Sequence, residues 1–159
     1  MGPTLRPLAP AFIALAVFCV PALADEPLDI VTDLYANRPY LQDPPGGMDI
    51  WWQDLRNLWQ AELERRDSAE AQGIDSMGEG LTFDFMINSQ EDYFSDLKLK
   101  ESIPTEGEAE VRAVFDNGGT EPIALLYGFI QTDDGWKISE VTRPGDEGWR
   151  LSDLLKQTR

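Results

Sequence analysis

Residues 108–141 read EAEVRAVFDNGGTEPIALLYGFIQTDDGWKISEV, and this stretch decides the fold. Its first run, EAEVRAVFD, alternates apolar with polar residues, which predicts a strand with one buried face. The next run, IALLYGFIQT, is apolar almost throughout, which predicts a central strand covered on both faces or nearly so. The last run, WKISEV, is predicted as a strand with Trp136 and Ile138 on one face.

Turn sequences separate these runs. DNGGTEP follows the first run, and DDG, from Asp133 to Gly135, follows the second. Strands joined by such short turns are antiparallel neighbours. Upstream, DLKLKESI also alternates, with Leu97, Leu99 and Ile103 as its apolar positions, and it predicts one more strand. The sheet is therefore expected to be a meander of four strands or slightly more.

Two helices are predicted before the sheet. The first lies in residues 26–42 and ends before Asn37-Arg38-Pro39, because proline disfavours helical geometry at the residue that precedes it. The second is predicted to begin with Asp49 as its N-cap and to end near Gly73. Its apolar face consists of Trp51, Leu55, Leu58, Trp59 and Leu63. Its other faces are expected to carry Arg56, Glu62, Arg65 and Arg66.

A short C-terminal helix is predicted from Trp149 onward, with Leu151, Leu154 and Leu155 on one side. Trp136 is expected in the core, and Trp149 is expected to hold this helix against the sheet. Residues 81–94 have a mixed pattern, an extended lead-in followed by a turn. The predicted fold class is α+β: N-terminal helices packed on a curved antiparallel meander sheet, a short C-terminal helix, and a cone-like shape.

The first 24 residues have the layout of a secretory signal peptide. Arg6 precedes the uncharged run LAPAFIALAVFCV, and Ala22-Leu23-Ala24 forms a small-x-small cleavage motif. The sequence therefore predicts cleavage after Ala24, a periplasmic protein without stable membrane insertion, and a single domain over residues 25–159. Pro10 and Pro21 argue against an uncleaved anchor helix. Phe18 argues against a lipoprotein, since lipidation of Cys19 requires a small residue before it.

The composition restricts the chemistry. The chain carries 29 acidic and 13 basic residues, for a net charge of −16, which becomes −16 − 1 = −17 once Arg6 is removed. This charge disfavours nucleic acid and anionic membranes. It suits either a solvated acidic surface, which is the favoured interpretation, or a basic partner. There is no histidine, and the one cysteine lies in the predicted signal peptide, so His- or Cys-based catalysis and metal binding are excluded. We expect no cofactor.

Oxygen ligands leave one metal alternative open. Asp116-Asn117 and Asp133-Asp134 cluster such oxygens. Both pairs lie beside glycine in predicted turns, where Asp and Asn are common for backbone reasons. Neither pair has the spacing of a calcium-binding loop. The sequence therefore favours turns at both places, and no metal site is predicted.

Four segments resemble one bacterial envelope family. FDFMINSQEDYFSDLKL, AEVRAVFDN, IALLYGFIQTDDGWKISEV and GWRLSDLL follow one another in the order and spacing of the family known as domain of unknown function 3828. The resemblance covers Leu28 to about Leu155. It implies the cone-shaped fold of the nuclear-transport-factor-2-like superfamily and a location in the envelope. Phe85 departs from the family pattern, which often has proline there. The family has no established catalytic residues, so the resemblance assigns none.

Two functional hypotheses follow. The first is a non-catalytic binding or interaction protein of the periplasm with an unknown, basic protein partner. The alternative is a small-molecule-binding protein for an apolar ligand, or an isomerase- or hydrolase-like enzyme based on carboxylate and tyrosine, with its pocket in the cone. Superfamily analogy implies this alternative, in which a buried carboxylate acts as a base and a tyrosine as a hydrogen-bond donor.

The alternative hypothesis supplies the candidate site residues. The opposing expectation is that the tyrosines pack in the core, that Asp84 faces solvent, and that strand alternation turns Arg112 away from the apolar face. Trp52 belongs with Trp51 and Trp59 to an aromatic group whose spacing favours a core face over a ligand platform, and Trp52 is the least settled of the three. The candidates for pocket residues are Tyr35, Trp52, Asp84, Arg112 and Tyr127.

Overall fold

The computed structural model describes residues 25–38, 43–73 and 81–157. The predictions for the signal peptide, for Cys19 and for the loops at 39–42 and 74–80 lie outside these ranges. The strands are β1 (Ser95–Thr105), β2 (Glu108–Asp116), β3 (Ile123–Thr132), β4 (Gly135–Arg143) and β5 (Trp149–Arg150). The helices are α1 (Pro27–Ala36), a short 3-10 helix (Met48–Ile50), α2 (Gln53–Ala71) and α3 (Leu151–Gln157).

The predicted α+β fold class is confirmed. The five strands lie in the order β1-β2-β3-β4-β5, every neighbouring pair is antiparallel, and the sheet is open between its edges β1 and β5. The helices contact the sheet through α1 on β1 and β2 and through α2 and α3 on β4. Within the described ranges, no helix combines the length and apolar character needed to cross a membrane.

Alternation sets the inner face of the sheet as predicted. In β2 the four alternating apolar residues are buried. Three of them pair with buried residues of β3, and Phe115 pairs with the half-buried Ile123. The other face of β3, with Ala124, Leu126 and Ile130, is only half-buried. The prediction that β3 is covered on both faces or nearly so therefore holds for the inner face, and the other face is only partly covered because the described helices pack on the inner face. The buried inner positions are Ala109, Val111, Ala113, Phe115, Leu125, Tyr127 and Phe129.

A β-bulge in β4 places the side chain of Val141 in the core, where simple alternation would point it away from the core. Phe129 pairs with Ile138, whereas the preceding Gly128 pairs with Glu140, so Ser139 is an extra residue in β4. A bulge of this kind shifts the side chains that follow it to the other face. Ile138 and Val141, three positions apart, are consequently both fully buried.

The start of α2 differs from the prediction. Asp49 lies in the 3-10 helix, and Trp52 is the N-cap residue of α2, without a side-chain cap. The chain first runs beside β4, where Trp51 bridges to Ile138 and the Trp52 N–H donates to the Ile138 carbonyl at 2.8 Å. This long-range pairing delays the helix by three residues. At the other end the prediction holds, since Gly73 with φ +69° follows directly after the C-cap residue.

One residue on α2 faces the core against expectation. Glu62 is only 5 % exposed. Its carboxylate accepts two hydrogen bonds from Arg65, at 3.0 and 3.1 Å, and lies 3.9 Å from Arg66. A buried carboxylate requires such partners, because an unpaired charge away from water is strongly unfavourable. Leu55 and Trp59 of the predicted apolar face are buried on the same helix, as is Ala69, whereas Leu58 and Leu63 are half-buried.

The two Gly-Trp pairs have different surroundings. Trp136 packs against the core from the inner face of β4 but is only partly buried. It therefore lies at the edge of the core, and not inside it as predicted. Trp149 belongs to β5 and precedes α3. Its ring lies 5.8 Å from Phe83 and 6.4 Å from Phe85 between centroids, so it holds the segment 81–94 against the sheet. Gly148 is required before it, because a Cβ there would lie 2.4 Å from the carbonyl oxygen of Arg143.

The burial of each tryptophan predicts how much stability is lost when it is replaced by alanine. Trp51 is fully buried and its Nε1 donates to the Pro45 carbonyl at 3.1 Å. We expect Trp51→Ala to lower the free energy of unfolding by about 3–5 kcal/mol, the usual loss for a buried tryptophan. Trp136→Ala is expected to lower it by less, because part of that ring is exposed. Urea unfolding followed by far-UV circular dichroism measures both, and an equal loss at the two positions would contradict this ranking.

Candidate functional site

Three of the five candidate residues meet in the core. The Tyr127 hydroxyl donates to the Tyr35 hydroxyl at 3.1 Å, and the Tyr35 hydroxyl donates to the Met86 carbonyl at 2.8 Å. The Met86 N–H donates to the Asp84 Oδ1 at 2.9 Å. Tyr127 comes from β3, Tyr35 from α1 and Asp84 from the segment 81–94. These three residues and Met86 are called the tyrosine–aspartate cluster below.

A tight turn in the segment 81–94 aims the Met86 carbonyl at Tyr35. Asp84 and Ser89 form an isolated antiparallel bridge, with the Asp84 N–H donating to the Ser89 carbonyl at 2.8 Å. Asn88 closes the turn at φ +48°, a conformation that asparagine tolerates better than most residues. The Asp84 carboxylate accepts from the backbone two residues later, as in an Asx turn. Asp84 therefore has a backbone role at the site.

Arg38 closes the cluster on its outer side. Its guanidinium forms ion pairs with Asp84 and Asp92, and its Cζ lies 5.5 Å from the centre of the Phe94 ring. Asp84 is 8 % exposed, so it faces the core and contradicts the expectation that it faces solvent. Sequence reasoning missed Arg38 as a site residue. The available signal was its position, directly after the predicted helix end and before Pro39.

Both tyrosines of the cluster are held in the neutral form. Burial raises the pKa of Tyr35 well above its ordinary value, and the neighbouring Tyr127 and Asp84 add to the rise while Arg38 opposes it. Burial likewise raises the pKa of Tyr127, with the hydrogen bond to Tyr35 acting in the opposite direction and Asp84 adding to the rise. A neutral phenol donates a hydrogen bond and does not serve as a base.

The space around the cluster is small. The cavity that touches Asp84 has a volume of about 10 Å³ and is lined by Trp59, Phe85 and Met86 among others. A cavity of that size holds about one water molecule. The Tyr35 ring is also packed between Phe94 and Phe115, at centroid distances of 5.7 and 6.0 Å. The cluster therefore joins three chain segments and, among the residues that the structure describes, leaves no room for a substrate beside Asp84.

The other two candidates lie away from this cluster. Trp52 is 37 % exposed at the start of α2. Arg112 is exposed on the outer face of β2, where it pairs in register with Lys100 and Leu126. Alternation places it there, opposite to the buried Val111 and Ala113. The structure does not bring Trp52 or Arg112 to the tyrosine–aspartate cluster.

The turn residues with clustered oxygens use them on the backbone. The Asp116 Oδ1 accepts from the Gly118 N–H at 2.7 Å, and the Asn117 Oδ1 accepts from the Gly119 N–H at 3.3 Å. Asn117 also donates to the carbonyls of Ile87 and Asn88, which ties this turn to the segment 81–94. In the described part of the chain, no group of three or more acidic residues has the arrangement of a metal site.

A second candidate site, which sequence reasoning missed, is a cleft beside α1. It has a volume of about 290 Å³. One wall comes from α1 and the other from residues 46–50. The sequence carried only a partial signal: Asp29 and Asp33 lie four positions apart on α1, and Asp25 precedes the helix. The cleft is lined by Asp25, Ile30, Asp33, Leu34, Asn37, Gly46 and Ile50, and it is called the α1 cleft below.

Comparison with known proteins gives no relative: no family model, no curated protein and no solved structure matches the chain. The function must therefore be argued from the two sites and from the charge of the surface.

Removing the Tyr35 hydroxyl breaks more hydrogen bonds than removing the Tyr127 hydroxyl. Tyr35→Phe leaves the Met86 carbonyl without its donor and Tyr127 without its acceptor, and we expect it to lower the free energy of unfolding by about 2–3 kcal/mol. Tyr127→Phe leaves the bond from Tyr35 to Met86 intact and is expected to lower it by about 1 kcal/mol. Urea unfolding of the two variants checks the order, and a larger loss for Tyr127→Phe would contradict this hydrogen-bond chain.

The raised tyrosine pKa values predict alkaline instability. In the unfolded chain a tyrosine ionises near pH 10, whereas in the folded protein Tyr35 and Tyr127 keep their protons at higher pH. The stability that they contribute is thus fully present below pH 10 and is lost as the pH rises above it, by about 1.4 kcal/mol per pH unit for each tyrosine. Urea unfolding between pH 9 and pH 12 measures the slope. Tyr127→Phe should make it shallower, and an unchanged slope would contradict the assignment.

Proposed function

We propose that the protein is an exported, acidic, non-catalytic interaction protein of the bacterial periplasm that binds a basic protein partner. The proposal includes membership of the family called domain of unknown function 3828, supported by the order of the four sequence segments that resemble it. The signal-like residues 1–24 support export. The surplus of 29 acidic over 13 basic residues supports a partner of opposite charge.

The observation that carries the proposal is that most basic side chains contact acceptors within the fold, while many acidic side chains have no such partner. Most of the described cations contact acceptors of the protein itself, so they do not neutralise the remaining carboxylates. These cations are Arg38, Arg56, Arg65, Arg66, Lys137, Arg143, Arg150 and Lys156. Acidic residues without an ion pair to any described cation include Asp25, Asp29, Asp33, Asp67, Glu70, Glu106 and Glu121.

The tyrosine–aspartate cluster does not favour the catalytic alternative. A general base must reach a proton on a bound substrate. The cavity at Asp84 has a volume of about 10 Å³, and the carboxylate is engaged by Arg38 and by the Met86 N–H. The hydroxyls of Tyr35 and Tyr127 are likewise engaged with each other and with the backbone. The cluster is better suited to hold the fold together than to bind a substrate.

A salt-dependent capture experiment tests the proposed function. The purified protein is immobilised and exposed to periplasmic extract at rising salt, and captured proteins are identified by mass spectrometry and then measured one at a time by calorimetry. We expect a basic protein that binds at low salt and is released as screening shortens the range of the charges. The absence of any salt-sensitive basic partner would overturn the proposal.

A variant with fewer surface charges gives a second test of the proposal. Asp67→Asn, Glu70→Gln, Glu106→Gln and Glu121→Gln together remove four exposed charges that make no described ion pair and that do not line the α1 cleft. The variant should fold as the parent does, because exposed positions without partners contribute little to stability. It should bind the same partner more weakly and with a smaller dependence on salt.

A further inference from the structure

The outer face of β3 carries no polar side chain over four successive outward positions. The free face of an antiparallel sheet that is packed on one side is ordinarily polar, so that apolar and polar residues alternate along each strand. β2 follows this rule with Glu110 and Arg112 on its outer face, whereas β3 does not. The sequence of β3 is therefore that of a strand covered on both faces, while the described helices cover only its inner face. The outward positions of β3 are the half-buried Ala124, Leu126, Gly128 and Ile130.

Unpaired cations border this apolar strip on one side. Of the basic residues that the structure describes, only Lys98, Lys100 and Arg112 contact no acceptor of the protein, and all three are exposed on the outer face. Lys98 pairs in register with Val114. Lys100 pairs with Arg112, and Arg112 pairs with Leu126 of β3. Two rows across the sheet therefore run from a basic edge to an apolar centre.

Protection of the sheet edge does not explain the position of Arg112. The lysines of β1 hinder pairing of this edge strand with another chain. Arg112 lies instead on β2, between β1 and β3, and directly opposite Lys100, where like charges are unfavourable. Glu110, the neighbouring outward residue of β2, forms no ion pair with Arg112. An external anionic group relieves this repulsion, so charge complementarity points to an acidic partner.

The spacing of the cations and the width of the strip fit a helix. Lys98 and Lys100 are two positions apart on a strand, which corresponds to about 7 Å. Side chains at positions i and i+4 of a helix are about 6 Å apart along its axis. A helix about 10 Å wide also spans the distance from β1 to β3, because neighbouring strands are about 4.8 Å apart. A helix that lies along the strands can therefore place an apolar stripe on β3 and an acidic flank beside the cations.

We propose that the outer face of the sheet binds an amphipathic helix of a partner protein, with acidic residues along one side of its apolar stripe. The inference goes beyond the proposed function, since it concerns another surface and a partner of the opposite charge. Leu126 lies at the centre of the contact, between Arg112 and Thr142 in register. The aliphatic stems of Lys98, Lys100 and Arg112 extend the apolar surface, and their charged ends pair with the carboxylates of the helix. The same cations repel basic helices and so provide specificity.

Two helical peptides of identical composition test this arrangement. In the capped probe AAQLEAQLEALEAQLEA the glutamates follow one side of the leucine stripe, whereas in the control AEQLAEQLAALAEQLAE they lie on the side of the helix opposite to the leucines. We expect the probe to bind about tenfold more tightly in an NMR titration, because only its carboxylates reach the cations while its leucines lie on β3. Its chemical-shift changes should lie in β1, β2 and β3. Equal affinity of the two peptides, or shift changes elsewhere on the surface, would overturn the proposal.

Single substitutions test the residues. Lys100→Gln and Arg112→Gln are each expected to weaken binding of the probe about threefold, and Leu126→Gln about tenfold, since it places an amide at the centre of the apolar strip. Lys156→Gln, which removes the same charge from an exposed position on α3, is expected to leave binding nearly unchanged. If Lys156→Gln loses as much affinity as the other charge variants, the probe responds to net charge alone and the site is wrong. Circular dichroism confirms that the variants fold.

A second copy of the chain is the other occupant that could cover this face. Sedimentation velocity of the protein alone distinguishes the two, and we expect no self-association that depends on Leu126. Dimers that form as the concentration rises and that Leu126→Gln abolishes would assign the face to a second copy and overturn the proposal. Neither result bears on the capture of a basic partner, so the proposed function and this inference can fail separately.

Discussion

The hydrogen bonds from Tyr127 to Tyr35 and from Tyr35 to Met86 join parts of the chain that are 92 and 51 residues apart. A fully buried phenol needs a hydrogen-bond partner, because its hydroxyl is otherwise stranded away from water. Tyr127 is fully buried at the centre of β3, so its hydroxyl needs a partner inside the core. Tyr35 supplies that partner only when α1 packs on the sheet at this position. Tyr35 in turn requires the turn at Met86. Aromatic packing against Phe94 and Phe115 supplies stabilisation, whereas the hydroxyls select one arrangement of the packed parts.

The sheet could be predicted well from sequence because its information is local. Alternation in β2 and the short turns on either side of β3 each depend on neighbouring residues. The errors come from long-range contacts. β5 has two residues and exists by pairing with β4, so no periodicity marks it. The helix start at Asp49 was wrong because the Trp52 N–H bonds to Ile138, which lies 86 positions further along the chain.

The candidate site was predictable by residue type and not by role. Tyr35, Asp84 and Tyr127 could be named together because buried carboxylates and phenols are chemically suited to catalysis. Whether their polar atoms point at a substrate or at one another depends on tertiary structure. Arg38 reaches Asp84 across 46 positions. The α1 cleft could not be predicted from the sequence either, because its second wall comes from residues 46–50, which belong to a different element.

Carboxylates in this protein divide into those that hold the fold and those that remain free. The side chain of Glu101 in β1 accepts from the Leu28 N–H at 3.2 Å, and Glu140 in β4 accepts from the Ser152 N–H at 3.1 Å. Glutamates of the sheet thus satisfy donors in the first turns of α1 and α3. Glu26, the N-cap residue of α1, makes no side-chain cap of its own.

Among the residues that the structure describes, the cations that remain are Lys98, Lys100 and Arg112, and they lie on the outer face of the sheet. Lys100 and Arg112 are paired in register on β1 and β2, although like charges directly opposite one another are unfavourable. Lys98, Lys100 and Pro104 stand on an edge strand, where lysine and proline hinder pairing with another chain. Edge protection accounts for their position. Because these cations occupy the face opposite to the helices, they lie away from the carboxylates of α1.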